Sequence, residues 1–287
     1  NYNGLGVGPV TMAGGLLEIV PVGSGSSGIP GDIVVADDST IAYNAVSSSY
    51  STVFFGNLSG TTGKTLTIQI DAINGASPGT GLDRIRLDGN DTVYDGNLDL
   101  ASGTTLWAAY GNSQTYNGVI SGVGAFMQKG DASYLNDANT YSGGTYLSSG
   151  SIGLGADSTG SPVTAGPLGV GPLLLAVDST TSTTGGGQIF ASGGARTVAN
   201  PIQYPTGTNN LTLTVGGTNN LILSGAFTLN GNDGVTAGSI TSRTIQVTNA
   251  GLTTISGVIS DDSLDYGFKK TGAGVLDWDL RRAALAA

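Results

Sequence analysis

The chain has 287 residues, including 49 glycines; 39% of its residues are hydrophobic and only 10% are charged. A formal net charge of −10 with a pI near 4.1 sets it against nucleic-acid phosphates and anionic lipid, so neither is an expected partner. Only 9 prolines and no strict three-residue glycine period exclude collagen, and a mean hydropathy of +0.12 opposes disorder.

The chain contains no cysteine and no histidine, which removes Ser-His-Asp and Cys-His catalysis and ordinary zinc ligation. Absence of cysteine is compatible with export to a bacterial cell surface. No window approaches the roughly 18 apolar residues that span a bilayer, so this segment is not expected to be membrane-embedded. No leader is legible, and the segment reads as mature or excised. Thr, Ser, Val, Ile, Tyr and Gly dominate, which suits pleated strands joined by tight turns.

Taken in chain order, the first recognisable phrase is Leu5-Gly-Val-Gly-Pro9. Short alternating runs follow at Leu66–Ile70, Ile85–Leu87 and Leu98–Leu100, each with apolar residues on one face. Asp88 to Asp99 (DGNDTVYDGNLD) has the oxygen-rich character that calcium accepts, with Asp91, Asp95 and Asp99 as candidate ligands. Gly89-Asn90 and Gly96-Asn97 lie seven residues apart instead of nine, however, and ordinary β-turns explain the string better. No other cofactor is implied.

Gly122 to Ile152 carries the longest phrase, GVGAFMQKGDASYLNDANTYSGGTYLSSGSI. The LGVGP phrase then returns at Leu168–Pro172. GTNNLTL (Gly207–Leu213) and GTNNLIL (Gly217–Leu223) follow ten residues apart, with a weaker echo at Ser224–Leu229. These copies fit successive faces of a coil, or a hairpin with Asn-rich turns. Further strands are expected at Leu211–Val215 and Ile245–Val247, and FKKTGAGVLDWDL (Phe268–Leu280) repeats the first half of the long phrase. Residues 281–287 (RRAALAA) break this style, as a cap or a cloning remnant.

Phe126, Lys129, Gly130, Leu135, Asn139, Thr140, Tyr141, Gly143, Gly144, Thr145 and Leu147, with Lys270, Gly272 and Gly274 in the later copy, resemble the autotransporter-associated β-strand repeat. That repeat occurs in the passenger regions of large bacterial surface proteins. The match covers about 31 residues well and about 60 more in part. Lys129 stands three residues after Phe126 instead of two, a departure that marks a bulge.

The resemblance implies an all-β, right-handed parallel β-helix, elongated. The Ser/Gly-rich stretches Gly23–Gly28 and Ser179–Gly187 read by composition as loops protruding from the coil, or as short flexible linkers. Phe126 and Leu135 would point inward, with Leu147, Ile152 and Leu154 in the same column one turn later. Turns of about 22 residues would give about 13 rungs and a rod near 60 Å. Residues 1–25 read as the end of one unit, 26–167 as a full unit and 168–280 as part of the next, all in one continuous solenoid.

The expected function is therefore a non-catalytic extracellular stalk, passenger or fibre segment, whose partners are other copies of itself or other surface proteins. End-to-end filament assembly is expected from complementary ends. An adhesin binding glycan or matrix through its loops is the alternative. A polysaccharide-cleaving β-helix enzyme, using acids such as Asp37-Asp38 or Asp261-Asp262, is a third reading. Adjacent Asp residues on a strand point to opposite faces, which weakens that reading.

Overall fold

Short strands with one apolar face must bury that face, and glycine-rich turns between them bring the chain back over itself. The computed structural model describes residues 6, 8–19, 27–44, 51–54, 56–71, 84–89, 92–108, 113–175, 186–204, 211–229, 243–261 and 268–278. Every pairing between its strands is parallel, with no closed barrel, and the architecture is a parallel β-helix.

The first turn contains β1 (Val10–Ile19) and β2 (Ser27–Ile29), and the second β3 (Ile33–Asn44) and β4 (Ser51–Phe54). The third is β5 (Leu58–Gly60), β6 (Thr65–Asp71) and β7 (Arg84–Leu87). The fourth is β8 (Val93–Tyr94), β9 (Asn97–Leu100) and β10 (Thr105–Ala108). Next come β11 (Gln114–Tyr116), β12 (Ile120–Gly122) and β13 (Ala125–Gln128). β14 (Ala132–Leu135) and β15 (Thr145–Leu147) belong to the sixth turn, β16 (Ser151–Leu154) and β17 (Leu173–Leu174) to the seventh.

β18 (Gly186–Ala191), β19 (Arg196–Val198) and β20 (Ile202–Tyr204) resume the three-sided pattern. It continues through β21 (Thr212–Gly216), β22 (Leu221–Leu223) and β23 (Phe227–Leu229). β24 (Arg243–Val247), β25 (Thr253–Ile255) and β26 (Ile259–Asp261) complete the tenth turn. β27 (Phe268–Thr271) and β28 (Leu276–Trp278) lie beyond it.

One face is a ten-stranded sheet running from β2 to β26, and a second is an eight-stranded sheet from β8 to β27. The third face is a six-stranded sheet ending at β12 and a four-stranded sheet beginning at β19. Between those two sheets the ladder persists without regular strands. The Thr140 and Ser142 amides donate to the Ile120 and Gly122 carbonyls, and the Val170 amide donates to the Tyr141 carbonyl.

In-register stacking sorts the inward side chains into columns. On the ten-stranded sheet Ile85, Leu106, Phe126, Thr145, Leu173, Ile202, Phe227 and Ile259 lie one above another. One hydrophobic core cluster extends from Met12 to Ile255. Phe126, Leu135, Leu147, Ile152 and Leu154 are all fully buried, as expected. Their column assignment is corrected in part: Leu154 sits over Leu135, but Leu147 sits over Gln128 and Ile152 over Ser133.

Among the described residues there are ten three-sided or two-sided turns followed by β27 and β28, against the expected 13, because paired positions are separated by as few as 19 residues (Phe126 to Thr145) and as many as 37 (Ser151 to Gln188). At the usual spacing of about 4.8 Å, ten stacked strands extend about 43 Å instead of 60 Å. The Asn-rich copies lie on different faces of one turn. β21 is on the eight-stranded sheet, β22 on the four-stranded sheet and the echo, β23, on the ten-stranded sheet. Parallel pairing excludes the hairpin alternative. Of the Ser/Gly-rich stretches, residues 23–26 and 179–185 lie outside the described residues, as do 281–287; Ser27-Gly28 belongs to β2 and Gly186-Gly187 to β18.

Tyr94, Tyr116, Tyr141 and Tyr204 all point inward, and burial raises the pKa of each hydroxyl. A raised folded pKa means that stability is intact below the unfolded value of about 10 and is lost as pH climbs beyond it. Thermal melts across pH 8–12, read with tyrosinate absorbance, are expected to show Tm falling above about pH 10. These four rings should ionise only as the protein unfolds, and their ionisation in the folded state would contradict the buried placement.

Candidate functional site

The motif residues from Leu135 to Thr145 gather where the chain leaves the eight-stranded face, crosses the third face and enters the ten-stranded one. After β14, the Asp137 carboxylate accepts the Ala138 amide at 2.7 Å and its carbonyl accepts the Asn139 amide at 3.0 Å, tightening the turn. This places Asn139 inside, fully buried. Its side-chain oxygen accepts the Ile120 amide at 2.7 Å, while its side-chain nitrogen donates to the Pro167 carbonyl at 2.9 Å. One amide thus joins the turn below to the turn above, with its own backbone carbonyl accepting from the Gly166 amide.

Tyr141 then packs into the core, its ring 6.4 Å from that of Phe126, which meets Tyr116 edge-on at 5.8 Å. Its hydroxyl lies 2.5 Å from the Thr145 hydroxyl, which donates to the Leu168 carbonyl at 3.1 Å. Since the Thr145 proton is committed to Leu168, Tyr141 is the donor between the two hydroxyls. Thr145 is the polar member of the long apolar column, and this relay satisfies it. Gly144 turns the chain into β15 with φ +86, a conformation glycine reaches without steric cost.

The LGVGP phrase lies directly above. Gly169 approaches so closely that a Cβ there would stand 2.3 Å from the Tyr141 carbonyl oxygen. Gly6, in the other copy, shares its left-handed backbone, with φ 75 against 67. Asn200 repeats the device one turn later: its side-chain nitrogen donates to Gly169 and Gly171 carbonyls at 2.9 and 2.8 Å, and its oxygen accepts from the Ser158 hydroxyl.

The remaining motif residues are dispersed. Thr140 is exposed. The Lys129 ammonium lies 4.8 Å from the Trp107 ring centroid, over an outward cluster of Trp107 and Met127 packed with Tyr146. Gly130 sits beneath Gly150, where a side chain would collide with its carbonyl. Lys270 closes the later turn instead, donating to the Gly272 and Gly274 carbonyls at 2.8 and 2.7 Å. The two copies of the phrase turn different corners, since Phe126 belongs to the ten-stranded sheet and Phe268 to the eight-stranded one.

The acidic candidates are used at corners. Asp95 accepts from the Asn117 side-chain amide at 2.7 Å, and Asn117 accepts from Asn136 at 2.8 Å, an exposed ladder over three turns. Asp99 accepts from the Ser121 hydroxyl at 3.2 Å, and Asp91 lies outside the described residues. Asp37 pairs with Lys64 at 2.6 Å, a contact that lowers the carboxyl pKa and raises that of the ammonium. Asp38 caps the Thr65 amide at 2.8 Å. Asp262, of the second acidic pair, lies outside the described residues. Among the described residues, no group of three or more acidic side chains converges on a common metal position.

Sequence reasoning missed Asn200 and the Asp95–Asn117–Asn136 ladder. A signal for the ladder was present: Thr92-Val-Tyr-Asp-Gly and Gln114-Thr-Tyr-Asn-Gly share a Tyr-Asx-Gly step at successive turns. Comparison with protein-family models, with curated proteins and with solved structures finds no match.

Replacing Asn139 with Ala leaves the Ile120 amide and the Pro167 carbonyl buried without their partner. A loss of about 2–6 kcal/mol in urea denaturation is expected, from about 1–3 kcal/mol for each orphaned group. Asn136→Ala, on the exposed ladder, is expected to change stability by no more than about 0.5 kcal/mol.

Proposed function

We propose that this chain is a non-catalytic structural segment of an exported bacterial surface protein: a β-solenoid stalk, passenger or fibre section. The observation carrying this reading is the single column from Ile85 to Ile259, which passes through eight strands of one sheet. A column of that kind is additive, because each turn rests only on its neighbours and the stack lengthens by repetition.

The motif chemistry supports the same reading. Asn139, Tyr141, Thr145 and Asn200 spend their hydrogen bonds within the stack, joining one turn to the next. Such use is what the resemblance to passenger repeats would require of a scaffold. Among the described residues β1 is paired on one side only, as are β26, β27 and β28. Such edges template a further turn, supplied by the same polypeptide or by a second copy.

The test is duplication of one whole turn, residues 98–119, which span the interval between Leu98 and its partner Ile120. A scaffold built by addition is expected to stay folded and grow by about 4.8 Å in its longest dimension, read by small-angle scattering. A variant that unfolds, or keeps the parent dimension, would count against the proposal.

A further inference from the structure

Among the described residues the core holds a polar corner that the scaffold reading leaves unexplained. On the eight-stranded face, Gln114 stacks under Ser133, and Ser133 under Ile152, Ile189, Val215 and Val247. Thr92 aligns beneath Gln114, since the Thr115 amide donates to the Thr92 carbonyl and Thr115 pairs with Val93. Three polar residues therefore occupy the lower positions of a column that is aliphatic in the four above. Around the adjoining corner, Gln128 interrupts another column between Ala108 and Leu147.

Part of this corner is hydrogen-bonded within the protein. The Gln114 side chain donates to the Leu87 carbonyl at 3.0 Å and accepts from the Tyr116 hydroxyl at 2.9 Å. The Gln128 side-chain nitrogen donates to the Asp131 carbonyl at 3.1 Å. Three oxygens, however, have no hydrogen-bond partner: Thr92 Oγ1, Ser133 Oγ and Gln128 Oε1. Their residues are no more than 2% exposed. Leaving one such atom unpaired in a dry core is costly, and three in two neighbouring columns multiply that cost.

We propose that this corner is a binding site for ordered internal water, held by Ser133 Oγ and Gln128 Oε1, with Thr92 Oγ1 a second such position two turns below Ser133, beneath Gln114. Water suits the chemistry because it donates to the Gln128 carbonyl oxygen while accepting from or donating to the hydroxyls. The corner also acts as a register mark. A slip of one residue would turn these side chains to the outer face of the sheet and separate them from their solvent.

Two measurements on the intact chain decide this. High-resolution diffraction is expected to show solvent density within hydrogen-bond distance of Ser133 Oγ and Gln128 Oε1. Independently, Ser133→Ala is expected to lower Tm, because the bound water loses a partner, and Gln128→Met to lower it as well. An unsatisfied dry hydroxyl behaves oppositely, since its removal relieves a desolvation cost. A corner without density, or a Ser133→Ala protein melting at or above the parent temperature, would overturn the assignment.

Discussion

Parallel strands hydrogen-bonded in register leave each inward side chain one possible neighbour above and one below. That constraint organises the rest of this molecule. With successive strands about 4.8 Å apart, an inward position must hold something that packs on its own counterpart, and the solution is a column of similar side chains. The column from Ile85 to Ile259 varies between aliphatic and aromatic but stays apolar except at Thr145. There the hydroxyl is satisfied by Tyr141 and Leu168. The polar exception is tolerated because its partners lie in the same corner.

Corners carry the opposite chemistry. A chain that turns three times per rung frees backbone groups at each bend, and buried groups of that kind need partners. Side-chain amides supply them: Asn139 joins Ile120 to Pro167, and Asn200 holds Gly169 and Gly171. Asn220 accepts the Leu252 amide at 2.8 Å, and Asn97 accepts that of Val119 at 3.0 Å. Asparagine suits this place because one short side chain offers both donor and acceptor. Acidic residues do half of that work, as Asp38 does for Thr65. This explains how a chain with little charge can still use carboxylates structurally.

Strand positions were legible in the sequence because alternation survives wherever one face is buried: Leu66–Ile70, Ile85–Leu87 and Leu98–Leu100 all fall within strands. The inward direction of Phe126, Leu135 and Leu147 was legible too. Angular position around the coil was not. Corner lengths vary so much between turns that Phe126 and Phe268, alike in sequence, lie on different faces. The same variability reduced the number of turns below that expected from a uniform period. Within the candidate site, the string Asn139–Thr145 was recognisable as a unit, but the partners of Asn139 belong to the turns on either side. No local pattern reports that Ile120 and Pro167 will bracket it.

A scaffold role follows from these features as a proposal about use, and it depends on the strand register. The absence of native cysteine makes that register directly measurable. Gln203 and Thr228 are paired neighbours on the ten-stranded sheet, half-buried on its outer side. Adjacent in-register strands bring Cα atoms within the roughly 4.4–6.8 Å that a disulfide accepts. A Gln203→Cys, Thr228→Cys protein is expected to form an intramolecular disulfide readily on mild oxidation, while a Gln203→Cys, Leu229→Cys protein, one residue out of register, is not. Bridging of the second pair in preference to the first would contradict the stacked-column account.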